Sequence, residues 1–274
     1  MPYRGSRVNF EVVVVPADEQ VEAILADSIG RRDSQRDLPE GVSEFVRECA
    51  AYVMACRSAT YEVAYWHDQG ERPISFMLLS VQPGSVQAEG GRLVQYIPIS
   101  LARERGLKDA YIELTPENIV VFDLPANVRS EYEPIMDALA VRSDEVFPDF
   151  AQPVVEGKKV PFDIDHFDRT KKMARAQASK VIGWDGRFLI ASQDVTEYYK
   201  WHRLLLFERF KIELRTGILA TLNNAISRAG RKIGFAGRLE VKGLPTLTDV
   251  RDAQEALLAG SKSFGEILGV FRFV

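Results

Sequence analysis

The sequence predicts an α+β fold organised around one long central helix, with a helical hairpin and a small antiparallel β wing. The first observation is the run 194–230 (DVTEYYKWHRLLLFERFKIELRTGILATLNNAISRAG), which holds no proline and one internal glycine, Gly217. The second is a switch to period-two alternation between residues 61 and 124, broken by Gly and Pro turns. The third is that helix-patterned segments flank this β-rich middle instead of alternating with it, which separates α from β in the chain.

Taken in order, residues 8–15 are dense in valine and read as a strand ended by Pro16. A helix follows over 17–29, then a polar connector of mixed charge over 30–41 (GRRDSQRDLPEG). Ser43 caps the next helix, whose buried stripe is Phe45, Val46, Cys49, Ala50, Val53 and Met54. Strands are expected at 61–66, 74–81, 93–99, 111–114 and 119–124, with turns at 67–70, 83–85 and 90–91. Together they would make one small antiparallel sheet fronted by the Ser43 helix.

Beyond Pro125 a helix spans 130–146, with Pro134 tolerable only in its first turn. Residues 147–163 carry Pro148, Pro153 and Pro161, and 153–161 reads as a short β-hairpin between two helices. Asp165 caps a helix to residue 182, and Gly183 and Gly186 mark a loop. The long helix opens on a capping box of Asp194 and Glu197 and closes on Gly230. About 35 residues at about 1.5 Å each give a rod of about 50 Å. One of its stripes, Tyr198, Trp201, Leu205, Glu208, Ile212 and Arg215, is broken by charge. A second stripe, Phe207, Phe210, Leu214, Ile218, Leu222 and Ile226, is apolar, so the rod needs several neighbours. A strand at 238–242, a helix capped by Thr248 and ended by Gly260, and a short helix at 264–271 complete the chain.

Composition narrows the function classes. The 274 residues are 46% hydrophobic and 27% charged, with a net charge of −4, so nothing global draws the chain to nucleic acid. Cys49 and Cys56 lie seven apart in one helix, about 10 Å between Cα atoms, which suits buried thiols rather than a disulfide. The apolar run Val12–Val15 is too short for a signal peptide and nothing approaches a membrane span. A cytoplasmic protein, or one assembled there, is expected.

Catalytic chemistry finds no foothold. His67, His166 and His202 share no metal-ligand spacing, and there is no nucleophile elbow, P-loop or dinucleotide fingerprint. Asp163, Asp165 and Asp168 could gather on a divalent cation, but helix capping and the helix dipole explain Asp165 and Asp168 better. No metal, cofactor or catalytic residue is expected. Two local features remain. Arg169, Lys171, Lys172, Arg175 and Lys180 sit on an alanine-rich helix, as a solvated face or as cations for a phosphate backbone. Trp184 and Arg187 follow on a glycine-flanked loop, where they would touch nucleic acid or pack on a neighbouring subunit.

The order of parts from residue 130 onward resembles the portal proteins of tailed bacteriophages: stem helix (130–146), clip (147–163), stem helix (164–182), tunnel loop (183–193) and long core helix from 194. Earlier, GERPISFMLLSVQPGSV (70–86) is similar to that family's wing hairpin, and ENIVVF (117–122) to the strand returning toward the stem. PTLTDVRDAQEALLAGSKSFGEI (245–267) resembles its C-terminal Asp-led helix, glycine and restart, although Ser263-Phe264-Gly265-Glu266 stands where the family has Asn-Glu-x-Arg. The chain is also shorter than most portals, with an abbreviated clip.

The resemblance implies a non-enzymatic ring subunit, normally one of twelve in a dodecamer, with double-stranded DNA passing along its axis. It would divide into a wing domain (1–129), stem with clip (130–182), tunnel loop (183–193) and core helix with crown or wing tail (194–274). Trp184, Asp185 and Arg187 would lie on the channel loop; Trp201, Leu205, Phe210 and Leu214 would face the adjacent subunit. Partners would be further copies of the chain, DNA, a terminase motor, and capsid and tail adaptor proteins, with no membrane, in a virion. The alternative is a soluble α+β nucleic-acid-binding or regulatory module using the basic helix 169–180.

Overall fold

The computed structural model describes residues 10–29, 37–82, 85–104, 106–140, 154–155, 158–159, 164–183 and 197–271. In chain order the elements are β1 (Glu11–Val15), α1 (Glu19–Ile29), α2 (Leu38–Cys56), β2 (Ser58–His67), β3 (Pro73–Val81), β4 (Val86–Glu89), β5 (Arg92–Tyr96) and α3 (Ile99–Glu104). They continue with β6 (Tyr111–Leu114), β7 (Ile119–Asp123), α4 (Ala126–Ala140), β8 (Val154–Val155), β9 (Lys158–Lys159), α5 (Ile164–Ile182), α6 (Glu197–Ile233), β10 (Arg238–Lys242), α7 (Leu247–Leu258) and α8 (Phe264–Phe271). The fold is α+β with small antiparallel sheets and a central helix of 37 residues. Two compact units divide the chain. One comprises Met1–Leu124, Leu214–Leu244 and Phe273–Val274; the other comprises Pro125–Glu213 and Pro245–Arg272.

In the first unit α2 begins earlier than Ser43. Asp37 is its N-cap, accepting from the Glu40 N–H at 3.0 Å, and Pro39 occupies the first turn. The segment read as the end of a loop is therefore a helix start, where a fixed proline φ and a missing N–H cost nothing. Phe45, Cys49 and Val53 face the sheet β3-β2-β7. Phe45, Tyr61 and Phe122 form a triangle of rings with centroids 5.1–5.6 Å apart. Burial pushes the Cys49 thiol up to about 12, whereas Cys56, expected on the same apolar side, is exposed.

The β region is two three-stranded sheets, β3-β2-β7 and β4-β5-β6, instead of one. Gly90 and Gly91, both at positive φ, close a hairpin between β4 and β5, and β6 adds to that hairpin. Residues 97–99 leave the strand, and Ile99 starts α3. A further pairing joins the chain's extremes, since β1 runs antiparallel to β10 with Val12 opposite Val241 and Val14 opposite Leu239.

The 214–233 part of α6 forms the core of this unit, with Ile218, Leu222, Ala225, Ile226 and Ala229 at 0–1% exposure. Asn223 donates to the Leu239 carbonyl at 3.0 Å and accepts from its N–H at 2.7 Å, so the helix satisfies the backbone groups that β10 turns away from β1. Arg228 donates to the Glu117 and Ile119 carbonyls, and Lys232 donates to Asn118 and lies 4.4 Å over the Tyr65 ring. The helix passes through Gly230 and ends before Gly234, whose φ is +99°. Gly230 is needed for a different reason, because a Cβ there would lie 2.6 Å from the Phe235 carbonyl oxygen, where the chain doubles back.

In the second unit α4 starts at Ala126 and carries Pro134 in its interior, not in a first turn. It packs against α5, and β8 and β9 pair in the connection between them. Helix α5 begins at Ile164, which places Asp165 inside its first turn instead of at the cap. The 197–213 part of α6 meets α7 and α8 in a cluster of Trp201, Leu205, Ile212, Val250, Ala253, Ile267 and Phe271. The α7 cap is Thr246, not Thr248: its hydroxyl accepts from the Asp249 N–H, and Asp249 accepts from the Thr246 N–H at 2.7 Å. A similar box of Ser263 and Glu266 opens α8.

Asn223→Ala leaves both backbone groups of Leu239 short of a partner, and we expect it to destabilise the protein by about 1–3 kcal/mol in urea unfolding. The Thr246 hydroxyl, then the Thr246 N–H, hold the Asp249 carboxyl below the usual aspartate range. Its stabilisation is therefore complete above that range and fades as pH falls through the depressed folded-state value. Thr246→Ala should cost about 1 kcal/mol at neutral pH, and the gap to the parent protein should narrow on acidification.

Candidate nucleic-acid interface

Helix α5 has two faces set by its sequence. Ala174, Ala178, Ser179 and Ile182 are buried at 1–5% exposure. Arg169, Lys172, Arg175 and Lys180 are exposed, and Lys171 is half-buried. No acidic residue interrupts residues 169–182, so the outward face is a run of cations. Lys171 and Arg175 are also engaged within the chain. The face has the chemistry to hold phosphates electrostatically, without any group that would read bases.

The end of α5 is fixed by backbone contact. Gly183 has φ +69°, and a Cβ there would meet the Arg203 carbonyl oxygen at 2.2 Å and the Phe207 nitrogen at 2.7 Å. Only glycine fits both the left-handed turn and the approach to α6. The channel-loop residues Trp184, Asp185 and Arg187 lie outside the described residues.

The four residues expected to face an adjacent subunit are core side chains of the single chain. Trp201 and Leu205 are each 6% exposed within the α6–α7–α8 cluster. Phe210, 3% exposed, stacks on Tyr132 at 6.5 Å, and Leu214 is 6% exposed. Phe210, on the second stripe, is covered by Tyr132 of α4, whereas α7 and α8 return to cover Trp201 and Leu205 on the first. Glu208, which breaks that stripe, is 5% exposed and pairs with Lys211 at 2.8 Å.

Other surfaces are left open. Beside α6, Trp201, Leu206, Arg209, Val250, Gln254 and Leu258 line a groove whose lip is Leu258, 68% exposed. Leu247 and Leu258 on α7 and Trp66, Leu79 and Val121 on β3-β2-β7 are large apolar side chains in solvent. Reading 247, 251, 254 and 258 as a second stripe of α7 would have found the first of these. His67 and His202 are exposed, and among the described residues no group of three or more His, Cys, Asp or Glu is placed to hold a metal. No helix among them is long and apolar enough to cross a membrane.

Gly183→Ala should cost at least about 2 kcal/mol, from the backbone overlap and the left-handed φ together. Thermal unfolding of the purified variant checks this, and Gly217→Ala, where a Cβ meets open space, is the tolerated control.

No family model and no curated protein matches the chain. Among solved structures it is similar to a chain in the neck of an empty gene transfer agent (GTA) particle, at 12% identity and TM-score 0.47, covering 94% of this chain and 83% of that one. A chain of the native GTA virion gives 14% identity and TM-score 0.44, with 97% and 86% covered. An HK97-family phage portal protein from Corynebacterium diphtheriae gives 10% identity and TM-score 0.37, with 86% and 87% covered. The chain is thus similar, at low identity and over most of its length, to components of GTA particles and to a phage portal protein.

Proposed function

We propose that the chain is a non-enzymatic subunit of a phage-type portal ring, through which double-stranded DNA is packaged and ejected. The observation that carries this reading is the order of parts in the second unit. Helices α4 and α5 pack on one another with the β8–β9 pair in their connection, and the 37-residue α6 follows. That is the stem, clip, stem and core-helix order that the sequence resembles. The net charge of −4 also suits a conduit, since a strongly basic wall would grip its cargo.

In this reading Trp184, Asp185 and Arg187 border the channel, and the basic face of α5 either neighbours DNA or pairs with acidic residues of the next stem. The motor, capsid and tail adaptor proteins dock on the assembled ring, and the ring is a dodecamer in the virion. Purified full-length protein should form closed homo-oligomeric rings in negative-stain electron microscopy and native mass spectrometry. A monomer persisting over a wide concentration range overturns the proposal.

The exposed cations Arg169, Lys172, Arg175 and Lys180 favour one second reading, a monomeric or dimeric nucleic-acid-binding module. It requires tight, salt-dependent DNA or RNA binding that reversal of those charges abolishes. A ring without such binding excludes it.

A further inference from the structure

The outward face of β3-β2-β7 departs from what a solvated sheet face needs. Cross-strand partners share a face, so one side carries Val121, Thr60 and Val81 in one row and Ile119, Glu62 and Leu79 in the next. Ala64 with Met77, then Trp66 with Ser75, extend it. The opposite side, with Ala59, Tyr61, Val63, Phe76, Val120 and Phe122, is the buried one. A sheet covered on one side normally turns polar residues outward. Here Trp66, Leu79 and Val121 are 44–46% exposed around Glu62, with Asp123, opposite Ser58, at one end of the face and Val81 buried at its edge. An apolar surface of this kind marks an interaction site.

On a second copy, α7 offers a surface of matching character. Leu247, Arg251, Gln254 and Leu258 lie at spacings of four, three and four along its exposed side, with leucines at the ends and Arg251 between them. The leucines are about 16 Å apart along the helix. The rows from Val121 to Trp66 span about 20 Å along the strands. Arg251 contacts Asp252 at 3.3 Å and Glu255 at 3.9 Å, but all three side chains are 60–71% exposed, so these ion pairs are weak and readily exchanged.

We propose that the outer face of β3-β2-β7 in one copy receives the exposed stripe of α7 from a second copy, with Arg251 meeting Glu62. The contact joins two different patches, so it is heterologous and propagates head to tail, which a closed ring requires. A helix laid on an apolar sheet face is also a standard layer packing. The proposal rests on the ring reading and names the surfaces that would build it.

The test compares assembly of the full chain with Glu62→Arg, Arg251→Glu and the double variant, by native mass spectrometry across a concentration series. Circular dichroism verifies that each variant is folded. Each single reversal should raise the concentration for half-assembly by about tenfold or more, because like charges then meet at the contact. The double variant should return it to the parent value. Unchanged assembly of the single variants, or failure of the double variant to recover, overturns this contact while rings of the parent protein leave the ring reading intact. A parent protein that stays monomeric overturns the ring reading itself, and this contact with it. Leu258→Asp provides an independent check: it lies at the solvent end of α7 and should weaken assembly without unfolding the chain.

Discussion

A 37-residue helix with apolar side chains on more than one face must be covered along its whole length, and the rest of this structure follows from that requirement. The chain meets it by giving the two parts of α6 different company. Trp201, Leu205 and Ile212 are enclosed by α7 and α8 and Phe210 by Tyr132 of α4, whereas the buried side chains of 214–233 belong to the first unit's core. In the second set Ile218, Leu222, Ala225, Ile226 and Ala229 are at 0–1% exposure, and Asn223 takes both backbone groups of Leu239. The polar accounting of a strand edge is thus settled by a helix side chain, which fixes β10 and through it β1.

What could be read in the sequence was what local chemistry decides. The long helix, most strands, the Gly90-Gly91 turn and the hairpin between α4 and α5 follow from periodicity and from turn residues whose consequences are local. Helix limits were less readable, because several residues compete for each cap. Asp37 prevailed over Ser43 and Thr246 over Thr248 through side-chain hydrogen bonds that sequence spacing leaves ambiguous. Gly230 read as a helix end and is instead a place where the Phe235 backbone comes too close for any side chain. The pairing of β1 with β10 and the split into two sheets are tertiary choices, with no signal in either strand alone.

The candidate surfaces divide in the same way. A cationic α5 is plain from composition, since Arg169, Lys172, Arg175 and Lys180 fall on a frame whose small residues face inward. The stripes that hold Trp201 and Leu205, and Phe210 and Leu214, could not be assigned from their own patterns. Apolar periodicity says that a face is covered and is silent about whether the cover belongs to the same chain. Here α7 and α8, encoded well downstream, supply it for Trp201 and Leu205, Tyr132 of α4 supplies it for Phe210, and α7 keeps Leu247 and Leu258 exposed.

The tie between β1 and β10 also bears on the order in which the protein can be made. The valines of β1 are translated long before their partner strand, which ends at Lys242. The first unit is thus completed by a segment translated after all of α4, α5 and α6, so its β1–β10 sheet cannot form until those helices have been made. Nascent chains usually complete their N-terminal domain first. Here β1 waits for β10, the last strand among the described residues, and its apolar face needs shelter until then.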